Sequence, residues 1–173
     1  ATDTDGDSVV VNAGASVTIE NDAPVNNDEV LDAFAVQEDA LDDGNEDDVS
    51  DTTTQTITAA AIAGLVDAGA DEPVTISLNL AEAGDDSIDG DATGLYQDGQ
   101  SIVWNVNGDS LEGVVSGGDN DGDVVFTISP DGDDFEFELL GNIDHDDDAD
   151  LTTGEGDGFT ESLSLAGVFV ATD

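Results

Sequence analysis

Apolar residues along this chain occur in short groups, which are separated by turns rich in aspartate and glycine. The segment 74–80 alternates strictly between apolar and polar residues, as a strand with one buried face does. Related patterns predict further strands at 9–11, 16–20, 101–106, 111–115, 123–129, 134–140 and 159–170. The alanine-rich segment 57–66 is the best candidate for a short helix, and a buried strand is the alternative there. Short strands with at most one short helix predict an all-β fold, an antiparallel β-sandwich with Greek-key connections.

The pattern also divides the chain into two unequal parts. Residues 1–23 alternate between acidic turns and short strands, and the run 21–24 (Asn-Asp-Ala-Pro) then breaks the pattern as a linker would. We therefore expect residues 24–173 to form one compact β-sandwich domain, which is long enough to bury a core. Residues 1–23 are expected to be N-terminal strands or the tail of a preceding repeat.

Charge changes this picture more than any motif does. The chain has 173 residues, of which 44 are aspartate or glutamate and none is lysine or arginine. A compact chain with a net charge of -44 repels itself, so it either stays disordered or takes up cations from outside. The grouping of its hydrophobic residues favours a folded, cation-loaded chain. The lack of basic residues also argues against nucleic acid as a partner, since phosphate contacts need lysine and arginine.

Calcium is the cation that suits this composition. Carboxylates and carbonyls are hard oxygen ligands, and the chain has no cysteine and one histidine, which disfavours zinc and copper. We expect several Ca²⁺ ions to bind. Because free calcium is too low in the cytosol to load many sites of modest affinity, we expect an extracellular protein. No apolar run is long enough to insert into a membrane.

Three groups of acidic residues are candidates for the calcium sites. The group around Gly122 has oxygen side chains at alternate positions, as in the first half of an EF-hand loop, but it lacks the later bidentate acid, and a solvated turn is the alternative. The second group is the densest in the chain, and the third lies near the boundary between the two parts. The predicted ligands are Asp119, Asp121 and Asp123; Asp144, Asp146, Asp148, Asp150, Glu155 and Asp157; and Asp3, Asp5, Asp7, Asp22 and Asp28.

Catalysis is not expected from this chain. His145 is the only histidine, and no cysteine, lysine or serine stands in the setting of an activated nucleophile. Paired carboxylates of the glycosidase type usually lie among aromatic residues, which are few here. Trp104 is predicted to lie in the core, because its neighbours form a strand, whereas Tyr96 lies in a glycine-rich turn region and fits either the core or a binding cleft.

The order of several segments resembles a repeat domain of giant RTX adhesins, which Gram-negative bacteria export by type I secretion. The resemblance covers most of residues 24–173 and rests on Ala92–Gln100, Val103–Trp104, Gly122–Ile128, Phe135–Leu140, Ile143–His145 and Val170–Asp173. It implies a secreted, calcium-binding β-sandwich on the bacterial cell surface. The chain is also similar in size to the calcium-dependent peptide-binding domain of marine bacterial adhesins.

The resemblance leaves two functions open. As a ligand-binding module for cell adhesion, the chain would capture a peptide or protein C-terminus on a host cell through a bound Ca²⁺, with Tyr96, His145 and Asp157 at the ligand. As a rigid spacer repeat, it would contact only neighbouring adhesin modules, and its own oxygens would fill every calcium position.

Overall fold

The computed structural model describes residues 25–27, 29, 31–42, 44, 52–67, 73–145 and 161–172. These residues form ten β-strands, one short α-helix and a single turn of 3₁₀ helix at Glu38–Ala40. The elements are β1 (Val25–Asn26), β2 (Thr54–Ile57), α1 (Ala59–Ala63), β3 (Val66–Asp67), β4 (Thr75–Leu78), β5 (Ala92–Gln97), β6 (Gln100–Asn107), β7 (Ser110–Ser116), β8 (Val124–Asp131), β9 (Asp134–Leu139) and β10 (Phe169–Thr172). The predicted all-β class is confirmed.

Six of these strands form the principal sheet, in the order β2-β9-β8-β7-β6-β5. All neighbours are antiparallel, and β5 to β9 follow one another as a meander of hairpins. A Greek key would also need neighbouring strands that are distant in sequence. Among the described strands of this sheet, the pairing of β9 with β2 is the one of that kind. Two further antiparallel pairs, β1 with β3 and β4 with β10, complete the described sheets.

The aspartate-glycine clusters make the turns of this meander. Asp98 and Gly99 form the two-residue connection between β5 and β6, and their φ angles are 50° and 74°. Two consecutive positive φ angles characterise the type I′ hairpin turn, which Asp-Gly adopts readily because its twist matches that of the strands. The turn therefore gives this hairpin a tight, defined end.

The core lies on one face of the principal sheet, where every second residue points inward. Trp104, only 4% exposed, and the fully buried Phe126 meet edge to face with ring centroids 5.3 Å apart. Gly113 lies between them on β7 and is paired with both residues. A Cβ atom at Gly113 would lie 2.2 Å from Cε1 of Phe126, so the contact of the two rings requires glycine here. The prediction that Trp104 belongs to the core is confirmed.

A second layer covers this face and makes the fold sandwich-like. It consists of the β4–β10 pair, α1 and the segment 31–41, all of which pack hydrophobic side chains against the core. Phe169 on β10 contacts Phe135 on β9 with ring centroids 5.0 Å apart, and Phe34 contacts Phe137 at 5.9 Å. Neither helical segment of the described chain is long and apolar enough to cross a membrane.

The structure changes several of the predicted elements. The strand predicted at 159–170 is wrong over 161–168, where the chain forms no strand, because Leu163 and Leu165 pack against the core from a loop. Strands β2 and β5 were not predicted, and Tyr96 lies in β5 rather than in a turn. The short helix is confirmed as five residues of the predicted segment. The strands predicted at 9–11 and 16–20 lie outside the described residues.

Candidate functional site

One end of the principal sheet collects the described acidic residues that the sequence singles out. Antiparallel hairpins alternate between the two ends of a sheet, so the β5–β6 turn, the β7–β8 loop at 117–123 and the segment 140–145 after β9 all lie at the same end. Nδ2 of Asn120 donates a hydrogen bond to Oδ2 of Asp98 at 2.9 Å, which joins the first two of these segments. We call residues 98–99, 117–123 and 140–145 the acidic end.

The predicted site residues are distributed unevenly over the described chain. Those at the acidic end are Asp119, Asp121, Asp123, Asp144 and His145, and Tyr96 lies beside them on β5. The other predicted ligands lie outside the described residues: Asp3, Asp5, Asp7, Asp22, Asp28, Asp146, Asp148, Asp150, Glu155 and Asp157.

Asp144 is bound to the backbone of the β5–β6 turn. Its two carboxylate oxygens accept hydrogen bonds from the N–H groups of Asp98, at 2.9 Å, and Gly99, at 2.6 Å. The N–H of Asp144 in turn donates to the carbonyl of Tyr96 at 2.7 Å. The side chain is thus fixed in direction, and each oxygen keeps a lone pair with which it could coordinate a cation.

Replacing Asp144 by asparagine is expected to destabilise the protein by about 1–3 kcal/mol, because an amide has one acceptor oxygen where the turn presents two N–H groups. Urea unfolding at saturating calcium measures this loss, with Asp109→Asn, in the exposed β6–β7 turn at the opposite end, as the control of equal charge change. Unchanged stability of Asp144→Asn would contradict the role of the turn contacts. The number of bound calcium ions, counted in the same samples, reports separately whether Asp144 is also a metal ligand.

The β7–β8 loop is held by its own backbone and by one carboxylate. Oδ1 of Asp121 accepts a hydrogen bond from the N–H of Gly117 at 2.6 Å, and the N–H of Gly122 donates to the carbonyl of Val115 at 2.8 Å. The side chains of Asp119 and Asp123 are exposed, as Asp121 is. The loop therefore presents carboxylate oxygens to solvent from a hydrogen-bonded frame.

The donor chemistry of this end suits calcium, since its acidic groups are hard oxygen ligands. Within the described ranges, however, no three histidine, cysteine, aspartate or glutamate residues come together as a metal-binding group. Calcium takes six to eight oxygens. The described carboxylates could supply part of such a shell, and carbonyls, water or residues beyond the described ranges would have to supply the rest.

Glu38 connects the acidic end to the second layer of the sandwich. One of its oxygens accepts the N–H of Ile143, and the other lies 3.1 Å from Nε2 of His145. An ionised carboxylate can only accept, so Nε2 carries a proton in this contact. Nδ1 is buried and has no hydrogen-bond partner among the described residues.

A cleft of about 270 Å³ opens beside β5 at this end. Its walls are formed by Leu95, Tyr96, Asp144, His145 and Glu161, with glycine at 94 and 99. Tyr96 is 50% exposed, which is unusual for a large aromatic residue in a strand. Nε2 of Gln97 donates to the carbonyl of Asn142 at 2.6 Å and so holds the segment after β9 against β5.

Backbone N–H groups serve as partners of carboxylates throughout the described chain. Besides Asp121, Asp144 and Glu38, Asp89 accepts the N–H of Val106, and Asp134 accepts the N–H of Ala59 at the start of α1, both at 2.9 Å. In a chain without lysine or arginine, the amide groups are the abundant donors that remain. Acidic residues, most of them distant in sequence from their N–H donors, thereby fix turns and the start of α1.

Four residues that contribute to the site were not predicted from the sequence. Asp98 and Gly99 carry the signal of a two-residue hairpin turn, so their turn was within reach of sequence analysis. Glu38 carries no such signal, because its contacts with Ile143 and His145 span more than a hundred residues of chain. Glu161 is one acidic residue among many in its segment, and only the fold brings it to the cleft.

Comparisons of this chain with protein families, with curated proteins and with solved structures find no match to any of them.

Proposed function

We propose that this chain is a calcium-dependent, extracellular adhesion module that captures a peptide or protein C-terminus at its acidic end. The observation that carries the proposal is the cleft, which brings Tyr96 together with Asp144 and His145, two neighbouring residues that lie far from it in sequence. Concave sites with an exposed aromatic residue and convergent polar groups are typical of ligand binding. The proposal includes a secreted protein on a bacterial surface, as the resemblance to RTX adhesins implies.

Calcium enters the proposal through electrostatics. A surface with a net charge of -44 repels a free carboxylate, so a C-terminus can bind only where a cation screens or bridges the two charges. A bound Ca²⁺ with an open coordination position would accept the terminal carboxylate as one of its oxygen ligands. The exposed carboxylates of the β7–β8 loop and the acidic run that follows His145 are the groups that would hold the ion.

Two other roles have less support. A rigid spacer has no need of a half-exposed tyrosine at the mouth of a cleft, so the convergence of residues there favours a ligand-binding module over a spacer. An enzymatic role has less support because, among the described residues that line the cleft, none is a serine, cysteine or lysine that could act as the usual nucleophile.

Peptides that end in a free carboxylate are expected to bind the chain in the presence of calcium, and their C-terminal amides at least about tenfold more weakly, because amidation removes the charge that coordinates the ion. Isothermal calorimetry on a varied set of matched acid and amide peptides, with calcium and with chelator, measures the difference. Tyr96→Ala should weaken binding, whereas Val170→Ala, which truncates an exposed apolar residue on β10, should not. Equal binding of acid and amide, or binding of neither, would favour the spacer instead.

A further inference from the structure

We infer that the cleft beside β5 takes an ammonium or guanidinium group, as the side chain of a lysine or arginine in the captured peptide. The inference rests on the proposed function only in making the partner a peptide. The side chain that it places in the cleft is a different part of the ligand from the terminal carboxylate. The inference follows from the hydrogen-bonding character, shape and charge of the cleft walls.

The carboxylate groups along the cleft are hydrogen-bond acceptors. Asp144 contributes a carboxylate whose oxygens each keep a lone pair beyond their bonds to the turn. Glu161 contributes a second carboxylate to the cleft wall. A ligand that matches such a set is rich in N–H donors and positively charged, because donors of this kind form the stronger, charge-assisted hydrogen bonds.

The shape of the cleft suits one side chain. Its volume of about 270 Å³ is just below that of pockets for whole drug-sized ligands, about 300–1,000 Å³. The half-exposed ring of Tyr96 offers a face on which a cation can stack. A Cβ added at Gly94 or Gly99 would meet open space, so glycine there leaves the mouth of the cleft wide.

The charge of the chain also favours the binding of a cation from another molecule in this cleft. No lysine or arginine exists in the protein that could occupy the cleft from within. The negative field of the whole surface raises the local concentration of cations. A calcium ion is a poorer match for this cleft than an organic cation, because two carboxylates fall short of its six to eight oxygens. A guanidinium or ammonium group needs only the few directed acceptors that the walls present.

The test uses blocked single residues as probes, N-acetyl-arginine N-methylamide and its neutral isostere N-acetyl-citrulline N-methylamide, added to the full chain in millimolar calcium. Two-dimensional NMR should show arginine-dependent shifts at the amides of Gly94 and Gly99 and at the Tyr96 ring, with citrulline at least about tenfold weaker. The corresponding lysine probe should behave like arginine. Neither probe has a free carboxylate, so this result is independent of the comparison of acid and amide peptides.

Variants separate a built site from general attraction to an acidic surface. Tyr96→Ala and Glu161→Gln should weaken arginine binding several-fold, and Tyr96→Phe should retain it because the ring remains. Asp109→Asn removes the same charge at the opposite end of the sheet and should have no effect. Equal binding of arginine and citrulline, no binding of arginine, or an equal loss in Asp109→Asn would overturn the inference. Each variant is checked for folding by the NMR signal of the buried Trp104 indole, and the arginine–citrulline comparison on the unaltered chain holds whether or not a variant folds.

Discussion

Removal of calcium is expected to unfold this protein, or to lower its melting temperature by tens of degrees. Each proposed calcium site would stabilise the folded state by about 2.7 kcal/mol when free calcium is a hundred times the dissociation constant. Several such sites together would equal the stability of an ordinary domain, about 5–15 kcal/mol. Thermal unfolding followed by circular dichroism, with excess Ca²⁺ and with chelator, measures the effect. An unchanged melting temperature would show that the fold has no need of the ion.

Two controls distinguish coordination from simple screening of charge. Molar NaCl shortens the Debye length to about 3 Å, so it should relieve repulsion among the 44 acidic residues without filling any metal site. We expect it to restore much less stability to the chelated protein than millimolar Ca²⁺ does. Magnesium should also restore little, because it demands octahedral geometry and loses its water reluctantly. If NaCl matched calcium, the stabilisation would be screening alone.

Replacing Gly113 by alanine is expected to destabilise the folded protein by about 1–3 kcal/mol, and replacing it by valine by more, because the added atoms overpack the core. The new Cβ would overlap the ring of Phe126, which has no free space because it stacks on Phe137 at 5.5 Å and meets Trp104 edge to face. Urea unfolding at saturating calcium, followed by the fluorescence of the single tryptophan, measures the loss.

A double-mutant cycle tests the stated cause of that loss. Phe126→Leu removes the atoms with which the new methyl group overlaps, so Gly113→Ala should cost less in the Phe126→Leu background than in the natural chain. The interaction energy should favour the double variant by about 0.5–3 kcal/mol. Strict additivity would mean that Gly113 is required for a reason other than the ring of Phe126, and no loss at all in Gly113→Ala would contradict the packing itself.

Strands with strict alternation and clear turns were predictable from the sequence. The strands β6 to β9 agree with the prediction within about two residues at each end, and β4 lies inside its predicted segment. By contrast, β5 was missed because glycine at 94 interrupts its pattern, and the structure has a register irregularity between Ala92 and Tyr96 at that place. Apolar and polar residues alternate in the segment 161–168 as they would in a strand, yet the segment packs as a loop. Such alternation shows which side chains are buried, and it does not show whether the backbone bonds to a neighbouring strand.

The candidate site was predictable only in part, for a related reason. The carboxylates at Asp144 and in the β7–β8 loop stood out by local density, and so did the lone histidine. Glu38 and Glu161 reach the same end of the molecule through tertiary packing, which leaves no trace in local spacing. Sequence analysis also assigned Asp144 to a metal alone, whereas the structure shows its oxygens accepting two backbone hydrogen bonds.

The edges of the principal sheet have a consequence for how copies of this protein meet one another. The outermost strands are β2 and β5, and within the described chain the single backbone hydrogen bond that reaches β5 from outside the sheet is the one from Asp144 to Tyr96. An open edge strand can pair with a strand of another molecule. Many proteins prevent this with lysine on the edge strand, and this chain has no lysine. In this protein the mutual repulsion of highly acidic molecules opposes such pairing instead. Resistance to aggregation therefore depends on the medium, since divalent ions that neutralise the surface charge also allow the open edges of two molecules to approach each other.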